Sequence, residues 1–379
     1  MRGDLPTDAA GWRERARAFA ARSISPIAEQ IDREDRIPPE LFRDLANEGF
    51  LGLSIPSTWD GSGGDARSTV AVLEEISRAS AAVGVVLAVH LSVCATPILV
   101  WGTDAQRERF LRPLARGEVV GAFALTEPNA GSDTARLSTR YVREDAGFRL
   151  RGTKTFISNA VSAGTILLFA TSDPSLGHKG ISAFIVPPAT PGFSVAQRFD
   201  KLGLRGSETA EILLDDVRLP RESLLGPEGV GLRVALGSLQ GGRVGIASCA
   251  LGVAESAFAE MQRAVAADDA EWKRTLLARA FADLSSARAL VARAAGAKDD
   301  GSPYAIEASV AKLVASRAAF HIASVAVDVT GAEGTRSDAP AQRLLRDARV
   351  FPIVEGTTEI QELLLARNLL PAPTGRNPL

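Results

Sequence analysis

Along the first hundred residues, apolar positions recur at helical spacing. The run from Arg13 to Arg22 reads as a first helix, leading into Ser25 and Pro26 and then an acidic segment with Glu29, Asp32 and Glu34. Leu41, Phe42 and Leu45 mark one face of a second amphipathic helix ended by Gly49, and the loop from Pro56 to Gly64 is rich in glycine. Ala81 to Trp101 is apolar enough to be mistaken for a membrane span. Because His90, Ser92 and Pro97 interrupt it and small residues abound, it predicts a buried core helix instead. Near residue 119 the texture changes to short β-rich runs separated by Gly, Pro, Asn and Asp. Strands are predicted at 165–171, 181–186, 193–199 and 210–217, forming a small all-β unit of barrel or sandwich type. From Leu225 helical spacing returns. Ile306, Val310, Leu313 and Phe320 predict the core-facing stripe of a largely buried helix, with Arg317 snorkelling from its edge. The expected fold class is therefore mostly α with a central β domain, divided at 1–118, 119–224 and 225–379.

Composition changes this picture little. With 379 residues, 46% hydrophobic and 23% charged, the chain is long enough for two or three packed domains. A net charge of −2 gives no bias toward polyanions, and no basic block interleaved with aromatics points to nucleic acid. Cys94 and Cys249 are too few for a disulfide framework, which suits reduced thiols in a cytoplasm. His90, His178 and His321 lack ligand spacing, so no metal site is expected. Only six of the 43 basic residues are lysine, a bias that fits a GC-rich bacterial genome.

Candidate chemistry concentrates near the C-terminus. In RDARVFPIVEGTTEIQ, Arg346 to Gln361, a charged cluster gives way to five apolar residues before Glu355. A carboxyl in that setting is poorly solvated, and burial raises its pKa toward the range that suits a general base. Pro352 and Gly356 place it on a turn between two helical segments. An ordinary first-turn glutamate, satisfied by a helix N-terminus, accounts equally well for these residues alone. A second stretch, FALTEPNAGSD from Phe123 to Asp133, offers the Thr126 and Ser132 hydroxyls and a glycine, Gly131, where backbone can approach a ligand. GTKTFISNA and GRVGIA, the latter from Gly242 to Ala247, complete the set.

Together these motifs resemble the acyl-CoA dehydrogenases over roughly residues 10 to 370. The resemblance implies an N-terminal helical domain, a middle β domain and a C-terminal four-helix bundle. It implies FAD-dependent α,β-dehydrogenation of an acyl thioester, carried on CoA or on a carrier protein, with an acceptor like the electron-transfer flavoproteins. Glu355 would be the catalytic base, with Arg243 near it and the substrate. Within the TEP-x-AGSD stretch, Leu125 and Thr126 would bind the pyrimidine side of the flavin and Ser132 a phosphate, with Phe123 and Gly131 in the same cofactor loop. Phe156 stands where tryptophan is commoner and Ser158 where threonine is, to cover the ring and reach N5. Thr357 and Glu359, just past the base, are the remaining implied cofactor contacts.

Some positions depart from the family pattern. Asp60 replaces a glycine in the loop after Pro56, and Gln240 replaces an acid that touches the carrier arm. The RxxFG segment that reaches a neighbouring subunit's FAD is absent. In its place is a connection about four residues short, with Trp272 its only large aromatic. Asp328 occupies a glutamine position in a second cross-subunit contact. The implied homo-oligomer, a dimer or tetramer, thus competes with a hetero-oligomer that includes a homologous subunit.

Overall fold

The computed structural model describes residues 5–268 and 270–370, so the outer ends of the first and last predicted segments lie outside the described residues. The N-terminal part contains α1 (Ala9–Phe19), α2 (Ala28–Glu34), α3 (Pro39–Asn47), α4 (Ala66–Ala79), α5 (Ala81–Ala88), α6 (Thr96–Trp101), α7 (Asp104–Gln106) and α8 (Arg112–Arg116). The acidic segment after Pro26 is itself helical, as α2, supported by a Glu29–Arg33 pair of 2.9 Å one turn apart and ended by Asp35 at φ 51°. Helices α5 and α6 are joined by the π-helical stretch Val89–Ala95 into one rod, 78% of whose most apolar window is buried in the fold. By length and composition alone, Gly231–Ala267 and Ala305–Thr335 are also apolar enough to cross a membrane, but more than half of each such window is likewise enclosed. Asp60, at φ 60°, sits between Arg112 (2.9 Å) and Arg116 (2.6 Å), which gives the departure from glycine a local role in tying the loop to α8.

Eight strands follow: β1 (Val120–Ala124), β2 (Arg140–Glu144), β3 (Gly147–Ser158), β4 (Ala163–Thr171), β5 (Ile181–Val186), β6 (Phe193–Arg198), β7 (Thr209–Pro220) and β8 (Leu224–Leu225). They run β6-β7-β3-β2-β4-β5-β8, with β1 added to β4. Strands β2 and β4 share a single residue pair, Arg140 with Thr171, and the sheet divides there into two layers. Tyr141, Leu150 and Ile212 of one layer pack on Ile166, Leu168 and Phe184 of the other, as in a sandwich. Alternation along β4 explains its unbroken apolar run. While Ile166 and Leu168 fill the sandwich, Leu167 and Phe169 face the opposite way onto Cys94, Ile98 and Val234 of the helices.

The C-terminal part holds three long helices, α9 (Gly231–Ala267), α10 (Glu271–Asp299) and α11 (Ala305–Thr330), and two short ones, α12 (Pro340–Ala348) and α13 (Thr358–Leu369). Of the stripe expected to face the core of α11, Leu313 is buried and Val310 half-buried, but its two ends are not. Ile306 and Phe320 are 40% and 36% exposed, whereas Ala308, Ala311, Ala315, Ala319 and Ile322 form the buried seam. Small side chains let α11 lie close against α9, which presents Ala247, Ala250 and Ala254, and this close approach outweighs the size of the larger residues. Arg317 pairs with Glu362 across α11 and α13, and Arg349 covers the Phe320 ring at 5.6 Å.

One junction locks all three parts together. Arg346 of α12 grips Asp32 of α2 through two bonds of 2.6 and 2.8 Å and donates to the Leu202 carbonyl. The neighbouring Asp347 accepts from the Leu204 amide at 2.6 Å, and Asp35 accepts from Gly206 at 2.6 Å. Gly203 is obligatory here, because a Cβ would lie 2.1 Å from the Arg346 carbonyl oxygen. Arg205 is consumed by Asp32 and Asp200, and Thr209 is buried on the Ser207 carbonyl, so both read as strand-connecting structure.

Candidate active site

Glu355 sits in the turn between α12 and α13 with φ 55°, followed by Gly356 at φ 93°. A left-handed glutamate is strained by about 1–3 kcal/mol and persists only where its surroundings fix it. Here Gln361, fully buried on α13, donates to the Gly356 carbonyl at 3.0 Å, and Lys312 of α11 donates to the same oxygen at 2.7 Å. The residue as a whole is half-buried, but its Oε2 is enclosed and has no hydrogen-bond partner. Burial pushes the carboxyl up to about 7, against the opposing pull of Arg243 and Lys312. It is therefore not a satisfied first-turn acid. That capping role belongs to Thr357, whose hydroxyl accepts from the Ile360 amide at 3.3 Å, while Glu359 is exposed beside it.

Arg243 is brought to the same place by α9. It is buried, among the described residues its Nε lacks a partner and its side chain makes only a long hydrogen bond to Ser309 (3.4 Å), and burial lowers its pKa. The adjacent Gly242 makes room for the acid, since a Cβ there would lie 2.4 Å from Glu355 Oε2 and 3.0 Å from Val93. Cys94, the next residue of the π-helical stretch, blocks any side chain on Gly121 of β1 at 2.6 Å. The acid and the strand that feeds the 123–133 loop thus lean on consecutive residues of one segment.

That loop is held from behind. Glu127 accepts from the Ser138 amide and hydroxyl (2.6 Å each) and the Thr139 amide (3.0 Å), and pairs with Lys154 of β3 at 2.7 Å. Lys154, fully enclosed, also donates to the Leu125 carbonyl at 3.0 Å; burial pulls its ammonium down to about 8 although Glu127 opposes this. Two residues on, a register shift between Lys154 and Ile157 turns Phe156 outward with φ 55°. Its ring is 64% exposed and stacks on Phe199 at 4.7 Å. Phe123 is half-buried, edge-on to Phe169, and Leu125 is buried.

The open side of this arrangement fits a flavin. Among the described residues no partner engages the hydroxyls of Thr126, Ser132 or Ser158, and a Cβ on Gly131 would meet nothing within 4 Å. A large outward aromatic beside free hydroxyls and an unobstructed glycine is a surface for a polar heterocycle. Lys312 and the Glu127–Lys154 pair escaped the sequence reading. Their signal was there: each is a lysine, in a chain with six, embedded in an otherwise uncharged run.

Comparison with known proteins decides what this constellation belongs to. Family models for the acyl-CoA dehydrogenase N-terminal, middle and C-terminal domains match residues 7–118, 122–217 and 229–370. The chain belongs to the acyl-CoA dehydrogenase family. It is 40% identical to the short-chain specific acyl-CoA dehydrogenase of Clostridium acetobutylicum, over 93% of this chain and 96% of the relative. Butyryl-CoA dehydrogenase from Megasphaera elsdenii superposes with a TM-score of 0.94 at 36% identity, covering 98% of this chain and all of that one. A chain in a structure described as the electron transferring flavoprotein of Acidaminococcus fermentans gives a TM-score of 0.95 at 36% identity, with coverage of 98% and 100%. As an acyl-CoA dehydrogenase, this protein is an FAD-dependent oxidoreductase that dehydrogenates acyl thioesters.

Proposed function

We propose that Glu355 is the general base, taking the α-proton of a short acyl-CoA. The observation that carries this reading is the enclosed, unpartnered Oε2 on a left-handed turn, its carboxyl poised at about 7. Bound FAD supplies the acceptor for the β-hydride. Arg243 lends the site positive charge, and Gly242 leaves the space the carboxylate needs. Leu125, Thr126, Gly131 and Ser132, with Phe123 behind them, form the cofactor loop. Phe156 covers the ring, Ser158 lies beside it, and Thr357 and Glu359 complete the contacts. The Glu355→Gln protein, mixed anaerobically with butyryl-CoA, should keep its yellow colour while the parent bleaches. Bleaching at the parent rate would move the base elsewhere.

The substrate is proposed as a CoA thioester from the names of the relatives. Gln240, half-buried one turn before Arg243, favours a second reading in which the acyl group rides on a carrier protein. Comparison of butyryl-CoA with a butyryl-pantetheinyl carrier separates the two. An electron-transferring flavoprotein is the proposed acceptor and the cytoplasm the proposed location, in keeping with two buried free thiols. The protein is proposed to be an oligomer of this chain, because Phe281, Ile306, Phe320 and Leu363 leave apolar surface on α10, α11 and α13. Helix α9 ends at Ala267 and α10 begins at Glu271, with Trp272 53% exposed just beyond and Asp328 exposed on α11. About one FAD per chain in a dimer or tetramer expressed alone would support the homo-oligomer, and colourless protein the hetero-oligomer.

A further inference from the structure

Lys312 lies in the middle of α11 with no exposed surface, among Ala311, Leu313 and Ala315. An aliphatic side chain would fill that volume without the cost of burying an ammonium. Among the described residues its ammonium makes one hydrogen bond, to the carbonyl of Gly356, the residue directly after Glu355, at 2.7 Å. That carbonyl belongs to the second of two successive left-handed residues, so whatever grips it helps fix the direction in which the glutamate side chain leaves the turn. Gln361 is the other donor to it, and a Cβ on Gly356 would lie only 2.5 Å from the Gln361 amide nitrogen. The turn is thus clamped between α11 and α13 by two buried donors, of which one is charged. The charged groups acting on Glu355 are Arg243 from α9 and Lys312 from α11, while Glu359 of α13 acts on Lys312 in turn.

We infer that Lys312 is a positioning residue for Glu355: its ammonium clamps the turn and supplies positive charge that the unpartnered carboxylate needs in order to ionise. It exchanges no proton with substrate in this role. The inference rests on the reading of Glu355 as base and extends it to a residue outside the motifs. Replacement by methionine preserves length and apolar volume but removes both the donor and the charge, so the base becomes harder to ionise and less well aimed.

The test uses the FAD-loaded protein and its Lys312→Met, Lys312→Arg and Glu355→Gln variants. Butyryl-CoA-driven flavin reduction is followed by stopped flow from pH 5.5 to 9.5, and the Glu355 carboxyl is titrated directly by carboxylate difference infrared spectroscopy against Glu355→Gln. In Lys312→Met the carboxyl titration and the acid limb of the rate profile should both move up by about one unit or more, as expected when an opposite charge a few ångströms away is lost. The limiting rate at pH 7 should fall at least about tenfold with KM little changed, and Lys312→Arg should restore the position of the limb. A merely structural lysine would lower thermal stability and leave both titrations in place, and that result overturns the inference. If Lys312→Met does not accumulate as folded protein, Lys312→Gln is read by the same two titrations. Should Glu355→Gln itself reduce flavin normally, it is the base assignment that fails; an inert Glu355→Gln beside an unshifted Lys312 variant fails this inference alone.

Discussion

Glu355→Gln should alter stability as well as turnover, and in a pH-dependent way that packing alone does not produce. The folded carboxyl titrates at about 7 against an ordinary value of 4.5. Between those values the folded chain keeps a proton that the unfolded chain has released, so stability falls as pH rises through the window. A difference of about 2.5 units at 1.36 kcal/mol each comes to about 3.4 kcal/mol, reached above pH 7 and vanishing below pH 4.5. Glutamine is neutral throughout and mimics the protonated acid. The variant should match the parent near pH 4 and exceed it progressively, up to about 3 kcal/mol at pH 8. Urea unfolding of both proteins at one fixed FAD concentration, repeated at half-unit steps from pH 4 to 8.5, measures the difference with cofactor linkage held constant. A gap that stays flat with pH, or closes as pH rises, would mean the carboxylate is solvated and the reasoning from its burial is wrong.

Gly242→Ala should gain slightly in helix propensity yet lose at least about tenfold in flavin reduction, because its Cβ would stand 2.4 Å from Glu355 Oε2; stopped flow beside a thermal melt tests both halves. Lys154→Met strands Glu127 inside the protein and should cost about 3–5 kcal/mol in urea unfolding, whereas the double change with Glu127→Gln should recover most of it. His90 is locked neutral, its Nε2 on the Leu51 carbonyl and its Nδ1 accepting from the Gly121 amide, and burial holds it down at about 4 against an ordinary 6.5. In this case the unfolded chain binds the extra proton, so stability falls as pH drops from 6.5 through 4, by up to about 3.4 kcal/mol. Acid unfolding of His90→Gln should lack that component, and an unchanged acid slope would refute it.

What the sequence made legible follows from which forces act locally. Ile181–Val186 could be read because a buried strand needs only an unbroken apolar run between turn formers, and β4 for the same reason. The face of α11 was misread at Ile306 and Phe320 because residue size is a poor guide where alanines set the seam between two long helices. Four of the six lysines, Lys154, Lys201, Lys298 and Lys312, have their pKa pulled down by burial, and no periodicity argument looks for a charge inside a core. The juxtaposition of Glu355 with Gly242 and Arg243 joins a turn and a helix more than a hundred residues apart. Spacing alone gives no distance between them.

The grip of Arg346 on Asp32 spans 314 positions in the chain. A ribosome adding about 5–20 residues per second leaves Asp32 waiting for about 15–60 seconds before its partner exists. Helices α1 to α8 and the sandwich are complete well before that, but the segment carrying Glu355 is made later and docks onto surfaces already formed. Contacts of such long range close late in folding as well. The nascent chain therefore has its 123–133 loop long before it has Glu355 in place, and any truncation upstream of α12 leaves that loop without the acid proposed as the base.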